Sequence, residues 1–207
     1  MRIATGLGDL VLMHDILLNY IECTSGGKLT EEERDLILAA FAQKKMRKRQ
    51  YFLQEGEVCR KLGFVVQGSA RMYSVDHRGH EHIIHLALES WWLNDQESSI
   101  NLTPSRYYIE MLEDSEVLVI PVPDAIELRN KSRCFDLTVR ALDRSSVVIM
   151  QNRLHAAIAM TSEERFADLS HNYPEFLNRF PLIMIASYLG LSPETLSRIR
   201  KNARHKL

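Results

Sequence analysis

Between Pro181 and Lys201 the chain reads Pro-Leu-Ile-Met-Ile-Ala-Ser-Tyr-Leu-Gly-Leu-Ser-Pro-Glu-Thr-Leu-Ser-Arg-Ile-Arg-Lys, an order of residues that leaves few ways to fold. A short apolar helix ends at Gly190, the residue that takes a left-handed conformation at least steric cost. Ser192 as N-cap and Pro193 at the first helical position then open a second helix at once. Two helices joined by a tight turn containing glycine make a helix-turn-helix. Leu196 and Ile199 are expected to face inward, against Ile185, Ala186 and Leu189.

The charge of that second helix is the next constraint. The whole chain is balanced, with 26 basic and 27 acidic residues and a net charge of -1, so its bulk charge points to no nucleic acid. Residues 193–207 are different: Arg198, Arg200, Lys201, Arg204 and Lys206 stand against the single acid Glu194. A local basic excess neutralises phosphates and releases counterions, which provides sequence-independent affinity for DNA. The first turns of such a helix enter the major groove. Glu194 suits a cytosine amino group and Arg198 a bidentate contact to guanine. Ser192 and Thr195 suit a phosphate near the helix N-terminus, and Arg200 and Lys201 complete the basic face. The same pattern also fits an ordinary helical hairpin with a solvated basic tail.

Upstream, the character of the chain changes twice. Thr30-Glu31-Glu32-Glu33 is a capping box, followed by Leu36, Ile37, Ala40 and Phe41 at helical spacing. From about 44 to 122, short segments rich in β-branched and aromatic residues alternate with turn residues. Phe64–Val66, Arg71–Val75, Glu81–Leu88, Tyr107–Leu112 and Glu116–Pro121 read as strands, with a hairpin turn at 76–79. Several short strands at this spacing imply an all-β sandwich or barrel. After Pro123 the pattern is helical, and Cys134 to Met160 contains neither Gly nor Pro. Leu142, Ile149 and Ala156 recur every seven residues, as do Val147 and Leu154. That stripe suits pairing with a second copy of the helix, or packing on the chain's own β domain. A second capping box, Thr161-Ser162-Glu163-Glu164, marks a hinge near 160 and opens an all-helical unit over 161–207.

With 45% hydrophobic and 26% charged residues, the chain has material for an ordinary core. Three dispersed cysteines (Cys23, Cys59 and Cys134) suit reduced thiols in a cytoplasm. Apolar runs such as Pro181–Leu189 are too short to span a bilayer, so no membrane partner is expected. Arg2 is followed by no apolar core with a cleavage site, so no signal peptide is expected.

Gly190-Leu-Ser-Pro-Glu-Thr-Leu-Ser-Arg-Ile199 resembles the recognition-helix segment of the Crp/Fnr regulators, which typically reads Gly-x-Ser-Arg-Glu-Thr-apolar-x-Arg-apolar. The order of parts is similar as well, and the resemblance covers nearly the whole chain. It implies an α+β protein: an N-terminal jelly roll like a cyclic-nucleotide-binding domain with flanking helices, a long dimerisation helix, and an all-α DNA-binding head. The limits it implies are 1–133, 134–160 and 161–207. It implies a sequence-specific transcription regulator, not an enzyme, working as a homodimer on double-stranded DNA, with RNA polymerase and a small-molecule effector as further partners. By residue matching, Glu194 and Arg198 take base-contacting positions and Thr195 a phosphate-contacting one. Pro193 stands where the family often has Arg, which implies a different operator. The stretch Tyr173–Pro181 is too apolar and short for the family's β-hairpin, so the wing is expected to be missing.

Relatives that bind cyclic nucleotides carry a Gly-Glu pair, then an Arg followed by a small residue. Here the region reads Trp91-Trp92-Leu93-Asn94-Asp95-Gln96-Glu97-Ser98 and Thr103-Pro104-Ser105-Arg106-Tyr107-Tyr108. The Gly-Glu pair is missing, so little or no response to cyclic AMP is expected. Trp92, Glu97 and Arg106 are the candidate effector ligands. Their alternatives are packing for the tryptophans and a surface ion pair for Glu97 with Arg106. His77, His80, His82 and His85 crowd one hairpin, where His80 and His82 share a strand face and His85 has the opposite parity. This reads as a polar hairpin without a bound metal. Three imidazoles on zinc or nickel, as in a cupin-like enzyme, form the alternative reading. A nucleotide-binding module that controls a protein partner is a third. No resident cofactor is expected.

Overall fold

The computed structural model describes the backbone of residues 5–204 and the side chains of residues 13–202. Arg2, Lys206 and the side chain of Arg204 lie outside the described residues. The chain divides into two compact units, Met1–Ser74 with Leu86–Arg144, and Val75–His85 with Ser145–Leu207.

The first unit opens with α1 (Thr5–Ser25) and α2 (Glu31–Ala40). Two four-stranded sheets follow. One has the order β1 (Ala42–Met46), β8 (Ser115–Pro121), β3 (Lys61–Gln67), β6 (Trp92–Leu93). The other has the order β2 (Tyr51–Leu53), β7 (Tyr108–Met111), β4 (Ala70–Val75), β5 (Glu81–Ala87). Strands that pass from sheet to sheet in this antiparallel order make a jelly roll. The five strands expected from sequence appear as β3, β4, β5, β7 and β8. The short β1, β2 and β6 complete the sheets, and α3 (Gln96–Asn101) lies between β6 and β7.

Both faces of the first sheet are buried. Phe64, Val66, Leu118 and Ile120 point toward α1, α2, α4 (Val122–Lys131) and the start of α5 (Arg133–Ala159), where Leu17, Ile21, Ile37, Phe41 and Phe135 meet them. Val65 and Val117 point the other way, onto Phe52, Leu53, Ile109 and Met111. Alternation along a strand therefore delivers apolar side chains to two cores, which explains the nearly unbroken apolar reading of β3 and β8.

The first capping box forms as expected. The Glu33 amide donates to Thr30 Oγ1 at 3.2 Å and the Thr30 amide to Glu33 Oε2 at 3.1 Å. The other carboxylate oxygen of Glu33 accepts from Ser132 Oγ at 2.8 Å and from the Cys134 amide at 3.2 Å, tying α2 to the first turn of α5. Burial raises the Glu33 pKa, but these donors outweigh it and hold the carboxyl below its usual range.

The long helix α5 begins in the first unit, with Cys134, Phe135 and Thr138 buried, and continues into the second. Its later residues Val147, Met150, Leu154 and Ile158 are 57%, 72%, 62% and 77% exposed, an apolar stripe with no cover in the isolated chain. The second unit adds α6 (Ser162–Asn172), α7 (Phe176–Arg179), α8 (Leu182–Leu189) and α9 (Pro193–Arg204). Thr161 caps α6 in the second capping box. Among the described residues no strand follows β8. The stretch read as too apolar for a hairpin instead buries Phe176 and Phe180, whose rings meet at 5.0 Å. No described helix is long and apolar enough to cross a membrane.

Replacing Glu33 with Ala removes a cap and leaves buried donors unpaired, at a cost of about 1–3 kcal/mol. Thermal melting should fall by several degrees. Because the folded pKa lies below the ordinary value of 4.5, the loss should be complete above that pH and shrink as pH falls through the folded pKa.

Candidate nucleic-acid interface

The helix-turn-helix is built by a few short contacts. Gly190 closes α8 with φ +66, and the amide of Leu191 donates to the Ala186 carbonyl at 2.8 Å. Arg165 on α6 donates to the Leu189 carbonyl at 2.8 Å, satisfying another end group of α8. Ser192 Oγ accepts the Thr195 amide at 3.2 Å and donates to Thr195 Oγ1 at 3.1 Å, which starts α9. Leu196 and Ile199 are buried, as are Ile185, Ala186, Phe166 and Leu169 on the helices that α9 packs against. Leu189, expected inside, is only partly covered.

With Leu196 and Ile199 turned inward, the 100° step of the helix places Glu194, Ser197, Arg198 and Lys201 on the opposite face. All four are exposed. Ser192 is exposed at the cap, Thr195 is half-buried beside it, and Arg200 is half-buried on the flank. Ser197 was not singled out by sequence reasoning, although its spacing from Glu194 and Lys201 carried the signal. The Glu194 carboxyl is held below its usual range, first by its own amide and then by the Ser192 hydroxyl.

The sequence gave no warning of how α8 is held. Strand β5 is an edge of its sheet, so it carries unpaired backbone groups. Within the second unit, Ser187 Oγ accepts the Ile83 amide at 2.9 Å and donates to the Glu81 carbonyl at 3.3 Å. Arg153 of α5 donates to the carbonyls of Ile84 and of Tyr188, and its guanidinium lies 4.3 Å from the centre of the Tyr188 ring. Thus Ser187 and Arg153 satisfy an exposed sheet edge and fix the first helix of the motif. His85 lies beside this contact. Burial first, and the Arg153 cation second, push its imidazole down to about 4.

The candidate effector ligands are not brought to one place. Trp92 packs in the helix-side core, with ring centres 5.2 Å from Phe64 and 6.1 Å from Phe41. Trp91 packs against the inter-sheet core. Glu97 and Arg106 pair at 2.9 Å with side chains 57% and 65% exposed, a surface ion pair. The buried groups of this region are others. Asp95 caps α3 through the Ser98 amide at 3.3 Å and accepts from Ser105 Oγ at 2.7 Å. Cys59 accepts the Asp95 amide on its sulfur and donates its own amide to Ser98 Oγ at 2.9 Å. Asp95, Ser98, Ser105 and Cys59 are each no more than 5% exposed, so this network is closed on itself. In the hairpin, His80 and His82 both reach the Asp76 carboxylate, at 3.4 and 3.1 Å. Among the described residues no group of three His, Cys, Asp or Glu side chains is placed to hold a metal ion.

Residues 43–132 match the family model of the cyclic nucleotide-binding domain. FixK2 from Bradyrhizobium japonicum is similar at 18% identity and a TM-score of 0.67, over 80% of this chain and 85% of that one. The c-di-GMP responsive global regulator CLP of Xanthomonas campestris is similar at 13% identity and a TM-score of 0.67, over 86% of this chain and 93% of that one. A protein of Eubacterium rectale, described as a transcriptional regulator of the crp/fnr family, is similar at 16% identity and a TM-score of 0.63, over 86% and 85%. The chain has the Crp/Fnr fold. No curated protein sequence matches it. In this Crp/Fnr chain the jelly roll, the long helix and the helix-turn-helix follow one another in the order the sequence implied.

A histidine kept neutral by folding takes up a proton more readily in the unfolded chain, so stability falls as pH drops from about 6.5 toward 4. His85→Phe should flatten that slope, removing on the order of 1–3 kcal/mol of acid sensitivity. Urea unfolding at pH 7, 5.5 and 4.5 measures it.

Proposed function

We propose that this protein is a sequence-specific DNA-binding transcription regulator of the cytoplasm, not an enzyme, which acts as a homodimer. The observation that carries this reading is the exposed face of α9. Glu194, Ser197, Arg198 and Lys201 stand together on the outer side of a helix whose inner side, Leu196 and Ile199, is fully packed. A basic, solvent-facing helix opened by a hydroxyl cap suits the major groove, with Arg198 on guanine and Glu194 on a cytosine amino group. Ser192, Thr195, Arg200 and Lys201 then hold flanking phosphates.

The exposed stripe on α5 supports pairing with a second copy. A row of apolar side chains at 147, 150, 154 and 158 is costly in water and fits the seam of a helix pair. In this reading residues 1–133 sense an effector, 134–160 dimerise and 161–207 bind DNA. A dimer sets two recognition helices about one DNA turn apart. An effector works by favouring one spacing over another, for which it must bind the two states unequally. Cyclic AMP is not that effector. The stretch that the family uses for ribose and phosphate here holds the buried carboxylate of Asp95, already engaged by Ser105 and Ser98. A second negative charge beside it is unfavourable.

Arg198→Ala should weaken binding to the operator by about 10- to 100-fold, with unchanged circular dichroism and melting. Fluorescence anisotropy on a selected operator duplex measures it, and unaltered affinity contradicts the assignment. Leu154→Asp should convert the dimer to a monomer by sedimentation and abolish operator binding.

A further inference from the structure

Two lysines point into the mouth of the jelly roll, between its sheets. Register places them there. Lys44 on β1 is paired with Val117, which is paired with Val65, and both valines face the inter-sheet core. Lys61 shares the face of Gly63 and Val65 on β3. Gly63 has no room for a side chain, because a Cβ there would meet the Phe52 ring at 2.8 Å. That ring fills the space, and the Lys61 ammonium lies 4.9 Å from its centre.

The two ammoniums are close to each other. Burial first, then the neighbouring Lys44, push the Lys61 pKa down. No ion pair reaches either of them among the described residues, although Lys45 next door pairs with Glu116 at 3.0 Å. Glu57 offsets the charge only in part, and its carboxylate also accepts the Gln54 amide at 3.1 Å. An inward charge on an edge strand discourages unwanted sheet pairing. That accounts for Lys44 on the edge strand β1 but not for Lys61 on the inner strand β3.

The lysines border a pocket of about 390 Å³ lined by Phe52, Leu53, Val58, Cys59, Arg60 and Lys61, with Glu57 at its rim. Its walls are apolar on one side and cationic on the other, a size and make-up that suit a small organic ligand. We infer that the mouth of the jelly roll binds a small organic carboxylate, its anionic group between Lys44 and Lys61 and its apolar body against Phe52, Leu53 and Val58. Cys59 in the pocket wall is hydrogen-bonded to the cap and first turn of α3, and Gln96 of α3 donates to Asp143 of α5 at 3.1 Å. A ligand here therefore touches elements joined to the long helix. Its role as effector rests on the regulator reading; its binding does not.

The test uses the full chain without DNA, by thermal shift and titration calorimetry with benzoate, 3-phenylpropionate and branched-chain carboxylates, against 3-phenylpropionamide and inorganic phosphate. At least one carboxylate should bind and raise the melting temperature, at least tenfold more tightly than the amide or phosphate. Lys61→Met and Lys44→Met should each lose that binding at least tenfold. Without ligand they should melt at or above the wild-type temperature, because each removes a repulsion between like charges. Failure of every carboxylate, equal binding of the neutral amide, or a lower melting temperature in both variants overturns the inference. DNA affinity measured on the same samples reports separately on the regulator reading.

Discussion

Everything in the first unit hangs on one sheet that is apolar on both sides. Strands β3 and β8 send Phe64, Val66, Leu118 and Ile120 one way and Val65 and Val117 the other. Neither set can face water without losing roughly 1.5–3 kcal/mol per large side chain. The sheet must therefore be covered twice, by a second sheet on one face and by helices on the other. The helical cover includes the start of α5, where Phe135 is wholly buried. That anchor fixes where the long helix begins. Past Arg144 the same helix belongs to the other unit, and its apolar side chains lie open.

The second unit solves a different problem. A short apolar helix such as α8, eight residues long, has little stability of its own. It is held by packing on α9 and α6, by Arg165 at its C-terminal end, and by Ser187 and Arg153 against the backbone of β5. The same contacts that spare the edge strand its unpaired groups also orient the helix that precedes the basic one.

Much of this was legible because the signals were local. Capping boxes at Thr30 and Thr161 depend on residues three apart, and both form. The turn at Gly190 and the cap at Ser192 lie within a few residues of each other, and so the motif could be read directly. Period-two alternation located the five longer strands. Strands of two or three residues, such as β6 and β2, carry too few alternations to be read. The candidate effector residues fared differently. Glu97 and Arg106 form the surface pair that sequence also allowed, and Trp92 went to the core. The buried carboxylate of Asp95 went unremarked, because its partners Ser105 and Cys59 come from distant loops that only the fold brings together. The Ser187 and Arg153 contacts, over 104 and 69 residues of sequence, had no local signature at all.

The central claim is that a paired, basic α9 lies in the major groove. Its most direct test is a hydroxyl-radical footprint of the purified protein on genomic fragments that it selects from a pool. The account predicts two protected patches centred about one helical turn apart, over an inverted repeat. A protein that selects no fragment even at low ionic strength, or one that protects a single patch while remaining a monomer, contradicts it.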